Sequence, residues 1–136
     1  MSDAVANKEL VLRFWQSRPQ DQPGFLTDDV VWHVPTSIGQ RVFGGSADLR
    51  GDDAKAIFAA AQGVYEPGAR MDILHVVAEG DLVALHCQLH ARTSAGHDYH
   101  GSYHMLFRIA DDRIAEAWEF LDTAYLADCV QPAVGY

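Results

Sequence analysis

The 136-residue chain has few basic residues. Lysine and arginine together number 10, against 19 aspartate and glutamate residues, so the formal net charge at pH 7 is −9. The basic residues are scattered rather than grouped in a stripe. The chain therefore lacks the positive surface that nucleic acids and anionic membranes require, and we expect neither a nucleic-acid nor a membrane partner.

Cysteine and long apolar runs are scarce as well. Cys87 and Cys129 form neither a C-x-x-C pair nor a disulfide framework. No apolar run approaches the length of a membrane span, and charged residues interrupt residues 1–19, where a signal peptide would need an apolar segment. We expect a cytoplasmic protein with one domain, residues 1–136, which is long enough to bury a core without disulfides or metal.

The periodicity of the apolar residues predicts an α+β fold. Apolar pairs four residues apart, such as Leu10 and Phe14, predict a first helix that ends before Pro19. A second helix is predicted to begin at residue 52 and end at Pro67, and a last short helix to run through Asp128. Strands are predicted at 30–35, 71–78, 82–93, 99–109 and 113–121, with a short strand at 41–43 in the glycine-rich loop 36–51. This order predicts helices on one face of an antiparallel sheet.

The two longest predicted strands alternate between apolar and polar residues. A three-residue loop at 94–96 sets Arg92 opposite Asp98, a pair of opposite charges that supports this register. Cys87 then faces Tyr103 on the apolar side, which we expect to meet the helices. The polar side carries four histidines, namely His86, His90, His100 and His104.

The last predicted hairpin has two alternative registers. A two-residue turn at Asp111 and Asp112 would send Trp118, Phe120 and Asp122 inward. A three-residue turn that includes Ala110 would instead send Ala115, Ala117, Glu119 and Leu121 inward and place Glu119 beside Tyr103. A shift of one residue exchanges the two faces of the strand, and hydropathy alone favours the first register.

Three local motifs add a family resemblance to this order of elements. They are 28–32 (DDVVW) with Pro35, 80–83 (GDLV), and 107–109 (FRI) followed by 113–114 (RI) and 119–123 (EFLDT). The chain resembles the SnoaL-like branch of the nuclear transport factor 2-like superfamily. The resemblance implies a cone-shaped domain, usually dimeric, with a pocket between the concave face of the sheet and the helices. Family members commonly have glycine at the position of Asp112, in a three-residue turn, which implies that Glu119 points inward because Asp tolerates the left-handed conformation.

Known catalytic sets of the superfamily are incomplete in this chain. Ketosteroid isomerases have a tyrosine at the position of Phe14, an aspartate base at Val34 or His33, and an acidic oxyanion donor at His104 or Met105. Epoxide hydrolases of this fold have an arginine and an aspartate where Cys87 and Leu89 stand, although their third carboxylate matches Glu119. The resemblance therefore implies the fold and not a specific activity.

The candidate site combines three residues with acid–base chemistry. We expect His33 as general base, Glu119 as acid or orienting carboxylate, and Tyr103 as hydroxyl donor to a carbonyl or enolate oxygen. The pocket is expected to be lined by Val31, Phe14, Tyr99, Cys87, Met105 and Leu121. The alternatives are a structural His33, a solvated Glu119 in the other register, and a Tyr103 that only packs in the core.

The histidines of the polar face pair as His90 with His100 and His86 with His104, and such pairs can hold a divalent metal. Since no carboxylate is fixed among them, we expect neither a metal nor a cofactor there, and a hydrated or dimer-forming face instead.

Two main functions are compatible with this pattern. The first is a cofactor-independent isomerase, cyclase, hydratase or hydrolase that acts on a small apolar carbonyl compound. The second is a non-catalytic ligand-binding or dimerisation module with a passive pocket, and a partner-binding scaffold is a third class. We also expect a homodimer through the outer face of the sheet, since Trp118 and Phe120 lie there when Glu119 points inward.

Overall fold

The computed structural model describes residues 3–42 and 45–131. The helices in these ranges are α1 (Ala4–Gln16), α2 (Thr36–Val42), α3 (Asp52–Lys55), α4 (Ile57–Val64) and α5 (Thr123–Val130), with a single 3₁₀ turn at Gln22–Phe25. The strands are β1 (Leu26–His33), β2 (Asp48–Arg50), β3 (Arg70–Glu79), β4 (Leu82–Arg92), β5 (Asp98–Ala110) and β6 (Arg113–Leu121). None of these helices is long and apolar enough to cross a membrane.

The strands form one curved sheet in the order β2-β1-β6-β5-β4-β3. The expected α+β cone is confirmed, with the helices against the concave face. The expectation of a purely antiparallel sheet is wrong in one place, because β1 pairs with β6 in parallel. The connection between these two strands spans most of the chain. A connection of that length allows the second strand to run parallel to the first, which a short hairpin does not.

Residues 36–51 are more ordered than the predicted loop. The segment after Pro35 forms α2, whose buried Ile38 belongs to the hydrophobic core. A short strand does follow, but it is β2 at 48–50, which pairs with β1. The strand predicted at 41–43 is wrong at residues 41 and 42, which are helical, while residue 43 lies outside the described residues.

The predicted register of β4 and β5 is confirmed. Cys87 lies opposite Tyr103, and Arg92 lies opposite Asp98 with 3.0 Å between Arg92 Nη1 and Asp98 Oδ1. Every second residue of β4, from Val83 to Leu89, is buried, so this face of the strand belongs to the core.

The turn between β5 and β6 combines features of both predicted registers. It is a two-residue turn, with positive φ at both Asp111 (53°) and Asp112 (58°), as in the type I′ hairpin turn that matches strand twist. The pairing then shifts, because Arg108 faces Glu116 whereas Ile109 faces Ile114. Ala115 is the extra residue of a β-bulge. The bulge exchanges the two faces of β6 for all residues that follow it. Glu119 therefore points inward despite the short turn.

Aromatic rings fill the space between α1, α4 and the sheet. Phe14 packs edge-on against Phe58 and Phe107, with ring centroids 5.5 and 6.4 Å apart, and Trp32 also contacts Phe58. These rings hold the helices at a fixed distance from the concave face. Toward α5, the helices and the sheet are not in contact everywhere, and a space remains between them.

Candidate active site

A cavity of about 700 Å³ lies between the concave face and the helices. Its walls are mostly apolar and aromatic, with Trp15 from α1, Phe58 from α4 and Leu126 from α5. The exposed residues at its rim are Pro19, Gln62 at the end of α4, and residues 66–69 of the loop that follows α4. The cavity therefore opens beside this loop, and its floor is formed by the inward side chains of the sheet.

Glu119 places a carboxylate on that floor. Its Oε1 accepts a hydrogen bond of 3.1 Å from the indole Nε1 of Trp32, and the described residues offer no donor to Oε2. Burial among apolar groups raises the pKa of Glu119 to about 7, although the Trp32 hydrogen bond acts in the opposite direction. The carboxyl group is consequently present in both the protonated and the ionised form near neutral pH.

Three tyrosines lie near this carboxylate, and its charge contributes to the raised pKa of each of them, namely Tyr65, Tyr99 and Tyr103. The hydroxyl oxygens of Tyr99 and Tyr103 are 2.9 Å apart, and the ring of Tyr65 stacks on that of Tyr99 with 6.1 Å between centroids. Burial, the neighbouring phenols and the Glu119 charge raise the pKa of Tyr103 well above its usual range. Tyr103 is therefore a neutral hydroxyl donor throughout the physiological pH range.

A glycine between the two tyrosines makes their contact possible. Tyr99, Gly101 and Tyr103 follow one another on the inward face of β5, and a Cβ atom at Gly101 would overlap the ring and hydroxyl of Tyr99. The missing side chain at Gly101 thus leaves the space in which the Tyr99 ring lies back along the strand to reach Tyr103.

Three of the residues expected at the site line the cavity, namely Tyr103, Glu119 and Met105. Four others are packed outside its lining. Phe14 and Cys87 are completely buried in the core, Tyr99 lies behind Tyr103, and Leu121 packs against the core as a half-buried residue. Burial raises the pKa of the Cys87 thiol to about 12, so this group is an inert apolar residue.

The expected placement of His33 and Val31 in the cavity is wrong. Trp32 is the inward residue of this part of β1, so its neighbours on either side point to the outer face. His33 Nδ1 lies 2.7 Å from Asp48 Oδ1, and His33 Nε2 lies 2.7 Å from Glu116 Oε2. Val31 borders a second, polar concavity on the same outer face.

These contacts give His33 a structural role. Burial lowers its pKa, but the hydrogen bonds that it donates to Asp48 and Glu116 and the charges of these carboxylates outweigh burial, so the pKa of His33 is raised. Its ring also stacks on Trp118, with centroids 5.4 Å apart. The imidazolium ties β1, β2 and β6 together on the side of the sheet away from the cavity.

Trp32, Tyr65 and Trp15 line the cavity without having been predicted there. A signal for Trp32 exists, because Val30, Trp32 and Val34 are apolar at every second position while His33 is polar, which predicts Trp32 rather than His33 inside. Tyr65 follows α4 and carries no local signal. The Trp15 indole N–H is buried without a hydrogen-bond partner in the described part of the chain, a donor that a bound ligand or water can satisfy.

The cavity brings together a carboxyl group that titrates near neutrality and a neutral phenol. This pair can remove or return a proton and stabilise negative charge on an oxygen. Among the described residues, no group of three or more histidine, cysteine or acidic side chains is arranged to hold a metal ion.

Comparison with known proteins places the chain in a family. The model of the SnoaL-like domain matches residues 8–117, which is most of the sequence. The chain is a SnoaL-like protein. The predicted resemblance is thereby confirmed. No curated protein matches this SnoaL-like chain significantly in sequence.

Solved structures share the fold of this SnoaL-like protein. A nuclear transport factor 2-like protein of unknown function from Burkholderia pseudomallei superposes with a TM-score of 0.80 at 15% identity, covering 96% of this chain and 99% of the other. A proposed SnoaL-like polyketide cyclase from Jannaschia superposes at 0.75 with 18% identity, covering 99% and 98%. IdmH, a proposed polyketide cyclase from Streptomyces antibioticus, superposes at 0.72 with 17% identity, covering 91% and 97%. At these identities the likeness concerns the fold alone.

Proposed function

We propose that this SnoaL-like protein is an enzyme that moves a proton on a small, largely apolar carbonyl compound, as an isomerase or cyclase that uses protein groups alone. The observation that carries the proposal is Glu119, a carboxyl group with a pKa of about 7 on the floor of an otherwise apolar cavity. A carboxylate in such a place costs stability. A passive pocket has no need for it.

Glu119 acts as the general base in place of His33, which lies on the other side of the sheet. Its ionised form takes a proton from the carbon next to the substrate carbonyl, so that a C–H bond breaks and the carboxyl O–H bond forms. The Trp32 N–H holds Oε1 and leaves Oε2 to accept the proton. The protonated Glu119 then returns it to a second carbon in an isomerisation, or to the alkoxide formed when the enolate attacks another carbonyl in a cyclisation.

Tyr103 stabilises the enolate oxygen in this scheme. Either hydroxyl can be the donor in the 2.9 Å contact between Tyr99 and Tyr103. The scheme uses the arrangement in which Tyr99 donates to Tyr103, so that the hydrogen of Tyr103 is free for the ligand. Because the pKa of Tyr103 is raised, the phenol donates a hydrogen bond without losing its proton. Donors of this kind contribute about 10²–10³-fold to rate.

The cavity walls indicate the class of substrate. The volume of about 700 Å³ lies within the range of pockets that bind small organic molecules. The ionisable groups that line it are Glu119 on the floor and Glu66 at the rim, together with tyrosines. No lysine, arginine or histidine stands among the described lining residues, so the site favours a neutral ligand. The polyketide cyclases proposed among the structural neighbours are compatible with an aromatic ketone of this kind.

The test is exchange of α-protons for deuterium in small ketones, followed by proton NMR in D₂O. Bicyclic aromatic ketones such as α-tetralone are first selected by their ability to raise the melting temperature. We expect the wild type to catalyse exchange and Glu119→Gln to lose about 10²–10⁴-fold of the rate. The matched control is Glu116→Gln, three residues earlier in the same strand but on the outer face, which should keep the rate.

A passive binding module gives a different result. Ketones would raise the melting temperature of the wild type, yet α-proton exchange would proceed at the rate of the buffer and would not respond to Glu119→Gln. That outcome would replace the enzyme by a ligand-binding protein with the same cavity.

We further propose that the protein forms a homodimer through the outer face of the sheet. Phe120 is 60% exposed and Val77 is 66% exposed, and both lie on the outer face of the sheet, where Phe120 has Trp118 two residues before it on β6. Large apolar groups in such positions favour burial against a second copy of the chain.

A further inference from the structure

Five histidines lie on the outer face of three neighbouring strands. They are His75 on β3, His86 and His90 on β4, and His100 and His104 on β5. The sequence predicts the pairing of His90 with His100 but no carboxylate beside it. The structure adds Asp72 of β3 to this pair, which changes what the pair can bind.

His90 is held from both sides of its ring. Its Nδ1 lies 2.8 Å from Nδ1 of His100, and its Nε2 lies 3.1 Å from Oδ2 of Asp72. Asp72 in turn accepts two hydrogen bonds from the Arg70 guanidinium, at 3.0 and 3.3 Å. The line Arg70–Asp72–His90 fixes the orientation of the imidazole.

The carboxylate also fixes the tautomer of His90. An ionised Asp72 only accepts hydrogen bonds, so the neutral His90 ring carries its hydrogen on Nε2 and its lone pair on Nδ1. This is the arrangement in which a histidine bound to metal through one nitrogen donates the other N–H to a carboxylate. This lone pair accepts a hydrogen bond from Nδ1–H of His100. For both Nδ1 atoms to bind a metal, His100 takes its other tautomer, with the hydrogen on Nε2.

The separation of the two nitrogens selects a coordination geometry. With metal–nitrogen bonds of about 2.0–2.1 Å, two adjacent ligands are about 2.8–3.0 Å apart in a square-planar or octahedral complex and about 3.3 Å apart in a tetrahedral one. The 2.8 Å between His90 Nδ1 and His100 Nδ1 is the length of a hydrogen bond, and it also suits the first kind of complex, which Cu²⁺ and Ni²⁺ prefer.

We propose that His90 and His100 form a bidentate site for a divalent copper or nickel ion, with Asp72 as the positioning residue. Water fills the other coordination positions, since no group of three protein ligands exists among the described residues. The site lies on the face of the sheet opposite Glu119 and is independent of the proposed enzyme activity. It revises the expectation that this face binds no metal.

A second pair provides an internal comparison. The Nδ1 atoms of His75 and His86 are 3.0 Å apart and the rings are parallel within 6°. The described residues place no carboxylate against either ring. This pair should therefore bind the same ions more weakly than His90 and His100.

The experiment titrates the full chain with CuSO₄ at pH 7.5 in a non-coordinating buffer, followed by calorimetry and by electron paramagnetic resonance. We expect one tight copper site per chain with nitrogen hyperfine structure, and affinity in the order Cu²⁺, Ni²⁺, Zn²⁺. His100→Asn should weaken the tight site at least tenfold, and Asp72→Asn about 10–100-fold. The control is His97→Asn, which removes a histidine outside the pairs and should leave binding unchanged.

Two results would overturn the proposal. One is copper binding by His100→Asn with wild-type affinity and spectrum, which would place the copper elsewhere. The other is a copper spectrum of the wild type without nitrogen hyperfine structure, which would exclude the imidazole nitrogens as ligands. A loss in His100→Asn together with no change in Asp72→Asn would remove the positioning role of Asp72.

Discussion

Replacing Glu119 with glutamine separates the charge of this residue from its shape. Glutamine keeps a side-chain oxygen that can accept the 3.1 Å hydrogen bond from Trp32, and it fills nearly the same volume. The variant therefore removes the negative charge of residue 119 and keeps the volume and the Trp32 hydrogen bond of its side chain. Its stability relative to the wild type reports the cost of holding a carboxylate in the cavity.

The pKa of Glu119 determines the size and the sign of the effect. The native pKa of about 7 lies above the ordinary value of 4.5, so the folded state holds the proton more tightly than the unfolded state does. The free energy of unfolding of the wild type must then fall as pH rises from about 4.5 to about 7. At about 1.4 kcal/mol per pKa unit, the loss amounts to about 3 kcal/mol.

The glutamine of the Glu119→Gln variant does not ionise, so the free energy of unfolding of the variant does not fall in this way. We expect the variant and the wild type to be similarly stable near pH 4.5, and the variant to be about 3 kcal/mol more stable at pH 8. Urea unfolding followed by far-UV circular dichroism at pH 4.5, 6, 7 and 8 gives the difference directly. Effects of other titrating groups cancel because both proteins contain them.

Glu116→Gln is the matched control, because Glu116 lies on the outer face of the same strand and bonds to His33. It should show no gain in stability at high pH. A constant difference between Glu119→Gln and the wild type from pH 4.5 to 8 would refute the reasoning, since it would mean that the Glu119 carboxylate ionises without cost in the folded protein.

Three further predictions concern other parts of the molecule. His33→Asn should lower the free energy of unfolding more at pH 5.5 than at pH 9, because the raised pKa of His33 means stabilisation that is present at low pH and lost as pH rises through it; an equal loss in urea unfolding at both pH values would contradict this. Gly101→Ala should cost about 1–3 kcal/mol in the same assay, because the new methyl group displaces the Tyr99 ring, and an unchanged stability would show that the ring can move freely. Light scattering should find a dimer at pH 7.5, since the exposed Phe120 and Val77 of the outer face favour burial against a second copy of the chain, whereas a monomer at pH 7.5 would contradict the outer-face interface.

The inward orientation of Glu119 was predicted correctly, but the turn that precedes it was not. The resemblance implied an inward Glu119 through a three-residue turn, and the structure has the inward Glu119 with a two-residue turn. The difference is the bulge at Ala115, which restores the orientation that the shorter turn would have reversed. A bulge depends on how two strands twist against each other. The residues around Ala115 form no sequence pattern that predicts one.

The predicted position of His33 and the predicted antiparallel pairing of all strands were wrong for different reasons. The position of His33 followed from the resemblance, although the apolar alternation of Val30, Trp32 and Val34 favours the outer face. The parallel pairing of β1 with β6 joins segments that are far apart in the sequence, so local periodicity contains no information about it. In contrast, the register of β4 and β5 was predicted correctly because the turn and the Arg92–Asp98 pair lie within one hairpin.

The pH dependence of α-proton exchange tests the central claim, that Glu119 is the acid–base group of the cavity. With a ketone that binds the wild type, the exchange rate should rise with pH and level off above a midpoint near 7, the pKa of Glu119. Glu119→Gln should show neither the rate nor the midpoint, and Glu116→Gln should show both. A catalysed rate with the same pH profile in Glu119→Gln would contradict the account.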